Sequence, residues 1–211
     1  MASDVSAPSS TAPVLNADSS FRELVFSDLA RYRGEGARGW LRVLAVCLTD
    51  PGMFASVIIR AQQALTRKGR HLPARLLRTV GAVVLGGDFN PGPRIGPGFM
   101  IPHPQGVCLG FDLTIGANVT FAGGVTCAAR YPDARMAGFT EHQKFATIDD
   151  GVTIGAHAVL IGDVHIGHDA LIGANSVVTA NVVPYAVMFG NPARKVGMRD
   201  FAPAEPAAPE A

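Results

Sequence analysis

The chain has 211 residues, with 18 basic and 17 acidic side chains and a formal charge of +1. That length holds one good domain or two small ones, and the near balance of charge argues against nucleic acid or an anionic membrane as the main partner. The most apolar stretches, Leu44 to Leu48 and Val80 to Leu85, are far too short to span a bilayer, so no membrane insertion is expected.

Residues 1–18 are rich in Ser, Ala, Pro and Asp and predict a disordered tail. This stretch has neither a basic n-region nor an apolar h-region, so no secretory signal is expected and the cytoplasm is the default location. A helical region is expected over 19–81. Ser20 and Glu23 have capping-box spacing and open a first helix through Leu24, Leu29 and Tyr32. Gly34, Gly36 and Gly39 interrupt it, and a second helix carries Trp40, Leu41, Val43 and Leu44 to about Thr49. Asp50 followed by Pro51 is an N-cap and first-turn pair for a long helix to about Lys68, which Gly69 can close. A fourth, short helix is expected over Pro73 to Val80. The basic run Arg67, Lys68, Arg70 and His71 reads as a solvated helix end in preference to an anion-binding patch. Cys47, Cys108 and Cys127 show no CxxC spacing and suit reduced, buried thiols, with no metal site expected.

From residue 82 to 198 the period changes. Val152 to Val183 cuts into hexads, VTIGAH, AVLIGD, VHIGHD, ALIGAN, SVVTAN and VV, whose first places hold Val152, Ala158, Val164, Ala170, Ser176 and Val182. The third places hold Ile154, Leu160, Ile166, Ile172 and Val178. A helix repeats at 3.6 residues and a plain strand at 2, so a sustained period of six fits neither alone. It fits a parallel β-helix, in which each hexad is one flat side and three sides close a coil of about 18 residues. A β-sandwich with glycine turns would recur every 8 to 12 residues with variable spacing, and does not explain six consecutive hexads, counting ATIDDG from Ala146. Corners need small or positive-φ residues, and Gly116, Gly155, Gly167, Gly173, Asn118, Asn175 and Asn181 are placed to supply them. Between Ile95 and Ile115 the interval is 20, so the register slips by two in the first coils. Residues 131–145 break the pattern and predict an excursion loop from a coil, where function is often carried. Residues 199–211 predict a second disordered tail.

A helical segment followed by GGDFNPGPRIGPGFMIPHPQGV, the hexad array, an interrupting loop and GNPARKV resembles the serine O-acetyltransferase branch of the hexapeptide-repeat acyltransferases, over residues 20 to 198. The resemblance implies a mainly β chain, a left-handed parallel β-helix with an N-terminal α-helical segment. It also implies a homotrimer or dimer of trimers, with acetyl-CoA as co-substrate in a groove between neighbouring prisms. The family's D-x-x-P turn, R-I-G-x-G run and catalytic His fifteen residues after the Asp match Asp88, Arg94 to Gly98 and His103. With about 18 residues per coil, that spacing returns the two to nearly the same side, where a carboxylate can hold an imidazole in the proton-accepting tautomer. Acetyl transfer to an alcohol requires the hydroxyl proton to leave as oxygen attacks the thioester, and His103 is the base the resemblance implies. The plainer reading is that His103 caps a turn between Pro102 and Pro104. His157, His165 and His168 sit on regular hexads and read as solvent-facing corners.

Two departures bear on the acceptor. The family has an Asp immediately before its His, where this chain has Pro102; its Arg-His pair before P-K-I-x-D-G-V is reduced here to His142, displaced into the loop as a candidate substrate-binding residue. For the cofactor arm the resemblance nominates Gly124, Ala156 and Ala174, with Arg194 and Lys195 near a CoA phosphate. Tight coils need Gly and Ala for their own reasons. Three readings follow: an O-acetyltransferase with L-serine as first acceptor, a sugar or polysaccharide or natural-product O-acetyltransferase, and a non-catalytic trimeric scaffold. The end Ala208-Pro209-Glu210-Ala211 lacks the Ile that anchors a cysteine-synthase-type complex, so none is expected.

Overall fold

The structure, a computed structural model, describes residues 16–34, 36–130 and 144–200. The expectations for 1–15, 131–143 and 201–211, His142 among them, lie outside the described residues.

Local signals set the helices. In α1 (Phe21–Arg33) the Ser20 side chain accepts the Glu23 N–H, and the Glu23 carboxylate accepts the Ser20 N–H at 2.8 Å, closing a capping box. After α2 (Trp40–Thr49), the Asp50 carboxylate accepts the Gly52 and Met53 N–H groups at the head of α3 (Pro51–Arg67), with Pro51 where no N–H is needed. Helix α4 (His71–Val80) starts two residues before Pro73, because a proline in the first turn costs no internal hydrogen bond. Helical winding continues through a π-turn, Gly81–Leu85, to Gly86 at φ 65°, so the first ladder strand opens only at Asp88.

Beyond Asp88 the chain winds into three parallel sheets, the flat sides of a prism. The first side stacks Asp88–Phe89, Cys108–Leu109, Thr126–Ala128, Val159–Ile161 and Val177–Val178. The second stacks Arg94–Ile95, Thr114–Ile115, Thr147–Ile148 and His165–Ile166; the third stacks Thr120–Phe121, Thr153–Ile154, Leu171–Ile172 and Ala186–Phe189, with Arg194–Met198 antiparallel at its foot. Each strand turns one residue out and the next in, so the hexads fill the interior with Ile95, Leu109, Ile115, Phe121, Ile148, Ile154, Leu160, Ile166 and Ile172, all essentially without solvent contact. Burial of each such side chain stabilises by about 1.5–3 kcal/mol.

Six of the expected corner residues divide into two physical classes; Asn181 belongs to neither, and its Oδ1 accepts the His165 N–H at 2.9 Å. Asn118 and Asn175 take positive φ, at 57° and 58°. Gly116, Gly155, Gly167 and Gly173 do not; they are small because the next coil lies against them, as at Gly155, where a Cβ would sit 2.5 Å from the Ala174 nitrogen.

The ladder partners record the coil lengths. Asp88 pairs with Cys108 and Arg94 with Thr114, offsets of 20, and Met100 bridges Thr120 at the same offset, whereas Cys108 pairs with Thr126 at 18. The two extra residues therefore lie between Met100 and Cys108. Thr114 pairs with Thr147 at 33, fifteen more than a plain coil, and Thr147 with His165 at 18 again.

Two helices are fastened to the first coil through a buried ion pair. Arg60, wholly buried, donates through Nε and Nη2 to the equally buried Asp28 carboxylate at 2.8 Å each, and also to the carbonyls of Ile95 and Gly96 at 2.7 and 2.6 Å. Asp28 accepts the Phe99 N–H at 2.9 Å, and the Tyr32 hydroxyl accepts the Ile101 N–H at 3.0 Å. Helices α1 and α3 thus hold the strand that runs into Pro102 and His103. No helix among the described residues is long and apolar enough to cross a membrane.

Candidate active site

In every coil the chain leaves the third side and enters the first through one corner, and these corners stack. The turn residues Gly106, Gly124, His157 and Asn175 share the left-handed region, with φ of 70°, 73°, 58° and 58°. Gly124 donates its N–H to the Gln105 carbonyl, His157 to Gly123 and Asn175 to Ala156, each at 2.9 Å. Gly124, Ala156 and Ala174, nominated separately, therefore line one edge of the prism. At its foot Val177 donates to the Gly190 carbonyl at 3.0 Å and Ala193 to Val177 at 2.8 Å, which brings Arg194 and Lys195, both exposed, to the end of the same edge.

His103 is at the head of that edge. Its corner is the one that holds the two extra residues, because Pro102 and Pro104 supply no N–H to a ladder and the chain bows outward there. The imidazole is exposed and has no hydrogen-bond partner among the described residues. Just below it Gly123 leaves room: a Cβ there would lie 3.2 Å from the His103 Cβ.

Asp88 opens the first side one coil earlier and pairs there with Cys108, which directly follows this corner. The Asp88 N–H donates to the Val107 carbonyl at 2.8 Å, and a Cβ on the preceding Gly87 would sit 2.6 Å from the Pro104 carbonyl, so the Asp88 and His103 segments abut. The carboxylate itself is held by Arg78 of α4, which donates from Nε to Oδ1 and from Nη2 to Oδ2, the latter at 2.7 Å. Among the described residues no hydrogen bond joins Asp88 to His103. The expected pair is thus adjacent in backbone, with its carboxylate oriented by an arginine that no sequence motif marked.

Cys108 lies beside Asp88 in the ladder. Burial pushes its thiol up and the Asp88 charge pushes it further in the same direction, so the thiolate is disfavoured. The described residues hold no group of three His, Cys, Asp or Glu side chains suited to a metal ion.

The remaining histidines separate. His165 faces outward from a flat side, not from a corner, and meets Asp149 at 2.9 Å, while His168 packs edge-on against Tyr185 with Asp169 at 3.1 Å. His157 does occupy a corner, but on the edge below His103, where a side chain on Gly124 would collide with its ring. Counting through the 33-residue offset from Gly124 finds it, once the length of the excursion is known.

A family model described as "Bacterial transferase hexapeptide (six repeats)" matches residues 145–180. The chain is 34% identical to a serine acetyltransferase of Mycobacterium tuberculosis over 163 residues, covering 77% of this chain and 68% of that protein. It is 30% identical to the serine acetyltransferase of Helicobacter pylori over 151 residues, covering 72% of this chain and 84% of that one. Among solved structures, the Neisseria gonorrhoeae serine acetyltransferase superposes with a TM-score of 0.72 at 30% identity, over 84% of this chain and 66% of that one. A soybean serine acetyltransferase complexed with serine superposes at 0.69 and 32% identity, over 84% of this chain and 70% of that one. The chain therefore spans about two thirds of the length of the Mycobacterium and Neisseria proteins. The left-handed β-helix behind a helical segment, a parallel β-helix by its hexads and left-handed by the family resemblance, is its fold.

Proposed function

This chain belongs to the serine acetyltransferase family, and we propose that it moves an acetyl group from acetyl-CoA to the hydroxyl of L-serine with His103 as general base. The carrying observation is the single edge that has His103 at its head, Gly124, Ala156 and Ala174 along it, and Arg194 and Lys195 at its foot. Such an edge fits the donor: small residues admit close approach of an extended arm to backbone groups, and two cations suit its phosphates. Acetyl-CoA supplies an activated acetyl thioester.

His103 takes the serine hydroxyl proton as the hydroxyl oxygen attacks the acetyl carbonyl, and returns it to the departing thiolate. Asp88, whose segment abuts that of His103, is the carboxylate placed to balance the imidazolium that forms. Arg78, through its two-point grip, sets the direction of that carboxylate. Exposure of His103 on one prism edge supports assembly as a trimer or dimer of trimers, in which a neighbouring edge closes the groove.

Thiol release from acetyl-CoA, measured with L-serine and with a panel of glycosides, tests the acceptor. Formation of O-acetylserine well above any sugar ester is expected; acetylation of glycosides alone would refute serine while leaving His103 as base.

A further inference from the structure

We propose that a cavity beside Asp88, separate from the edge just described, is a second ligand site that takes a small molecule carrying a phosphate monoester and a ring. The cavity, about 890 Å³, lies between α4 and the outer corner of the first two coils and is walled by Thr66, His71, Arg75, Arg78, Asn90 and Phe111, with Asp88 at one side. Its volume falls in the range of small-molecule sites, roughly 300–1,000 Å³. His103, Gly124, Ala156 and Ala174 do not line it.

Its charge selects an anion. Of the charged side chains that line it, Arg75 and Arg78 are basic and Asp88 is acidic. Arg78 offsets Asp88 at the wall, which leaves Arg75 as an uncompensated cation and His71 as a second donor. Neither has a hydrogen-bond or ion-pair partner among the described residues. The Arg78 fork engages Asp88 through Nε and Nη2 only, so Nη1 remains free to reach a ligand while the grip on Asp88 persists. Two guanidiniums sharing one cavity match the several acceptor oxygens of a phosphate better than a single carboxylate does.

Phe111 supplies the second element of recognition. The residue is 48% exposed and lines the cavity from the prism, an apolar surface on which a sugar or base ring can lie. His71, exposed at a helix end as expected, also lines this cavity.

Isothermal titration without acetyl-CoA tests the site, using inorganic phosphate, glucose 1-phosphate and glucose as probes. Glucose 1-phosphate is expected to bind more tightly than phosphate, and glucose not at all. Arg75→Ala should weaken both phosphorylated probes at least tenfold, with unchanged thermal unfolding because Arg75 is exposed and unpaired. Phe111→Ala should remove only the advantage of the sugar. His103→Ala and Arg194→Ala should bind as the parent does, which separates this site from the base and from the proposed CoA end whatever the acceptor assay finds. No binding of either phosphorylated probe, parental affinity in Arg75→Ala, or loss of binding in Arg194→Ala would overturn the proposal.

Discussion

At the residue scale, His103 and Asp88 have unequal tasks, and their substitutions should differ accordingly. His103→Ala removes the proton acceptor and is expected to lower turnover by about 10²–10⁴ while acetyl-CoA affinity stays near parental, as measured by steady-state kinetics and direct binding. Asp88→Asn keeps a hydrogen-bonding group against Arg78 and should slow the reaction less; parental turnover in His103→Ala would reassign the base. Tyr32 offers a second test at this scale. Burial pushes its hydroxyl up to about 12, against about 10 for a free phenol, so the fold favours the neutral form. The stabilisation that follows is fully present below about pH 10 and is lost as pH rises toward 12. Tyr32→Phe leaves the Ile101 N–H without its acceptor and should cost about 1–3 kcal/mol at neutral pH. The gap between parent and variant in urea denaturation should then narrow between pH 10 and 12. The raised thiols of Cys47, Cys108 and Cys127 are common to both proteins and cancel in that comparison.

At the scale of elements, the junction between helices and prism depends on one buried ion pair. Asp28 comes from α1 and Arg60 from α3, and together they satisfy Phe99, Ile95 and Gly96 on the first coil. Arg60→Met leaves a buried carboxylate without its counter-charge, takes the arginine donor from the Gly96 carbonyl, and leaves the Ile95 carbonyl only the longer bond from Gln63. A loss of about 3–5 kcal/mol in urea denaturation is expected. A loss below 1 kcal/mol would mean that the apolar contacts of the helices alone hold them in place. The helix ends themselves are more local: the Ser20 and Glu23 box and the Asp50-Pro51 start depend on neighbours three residues apart or fewer, and so were readable from the chain.

At the scale of the whole molecule, two helix faces carry apolar stripes with nothing over them among the described residues. Leu41, Leu44 and Leu48 on α2 are mostly exposed, and Leu72, Leu76 and Val80 continue into Val83 on α4 and the turn after it. Patches of this kind suit contact between copies more than solvent. Light scattering at active concentrations is expected to give three or six times the chain mass, and a stable, active monomer would contradict the shared groove. Leu44→Glu, on one stripe, should reduce a sixfold assembly to threefold if α2 joins two trimers.

The prism and its helical preface were legible in the sequence because their determinants are local and repeated. A period of six needs only that each hexad present the same inward residues, and Ile154, Leu160, Ile166 and Ile172 do so without reference to anything distant. The tertiary structure decided what depends on register between coils. It assigned the two extra residues to the His103 corner, stacked Gly124, Ala156 and Ala174 on one edge, and set His157 over Gly124 across an offset of 33. It also brought Arg78 to Asp88, Arg60 to Asp28, and Arg75, His71 and Phe111 around one cavity. These meetings follow from how far α4 winds before its π-turn and where each coil closes. No spacing along the chain expresses those quantities, because they are sums over every turn between the partners.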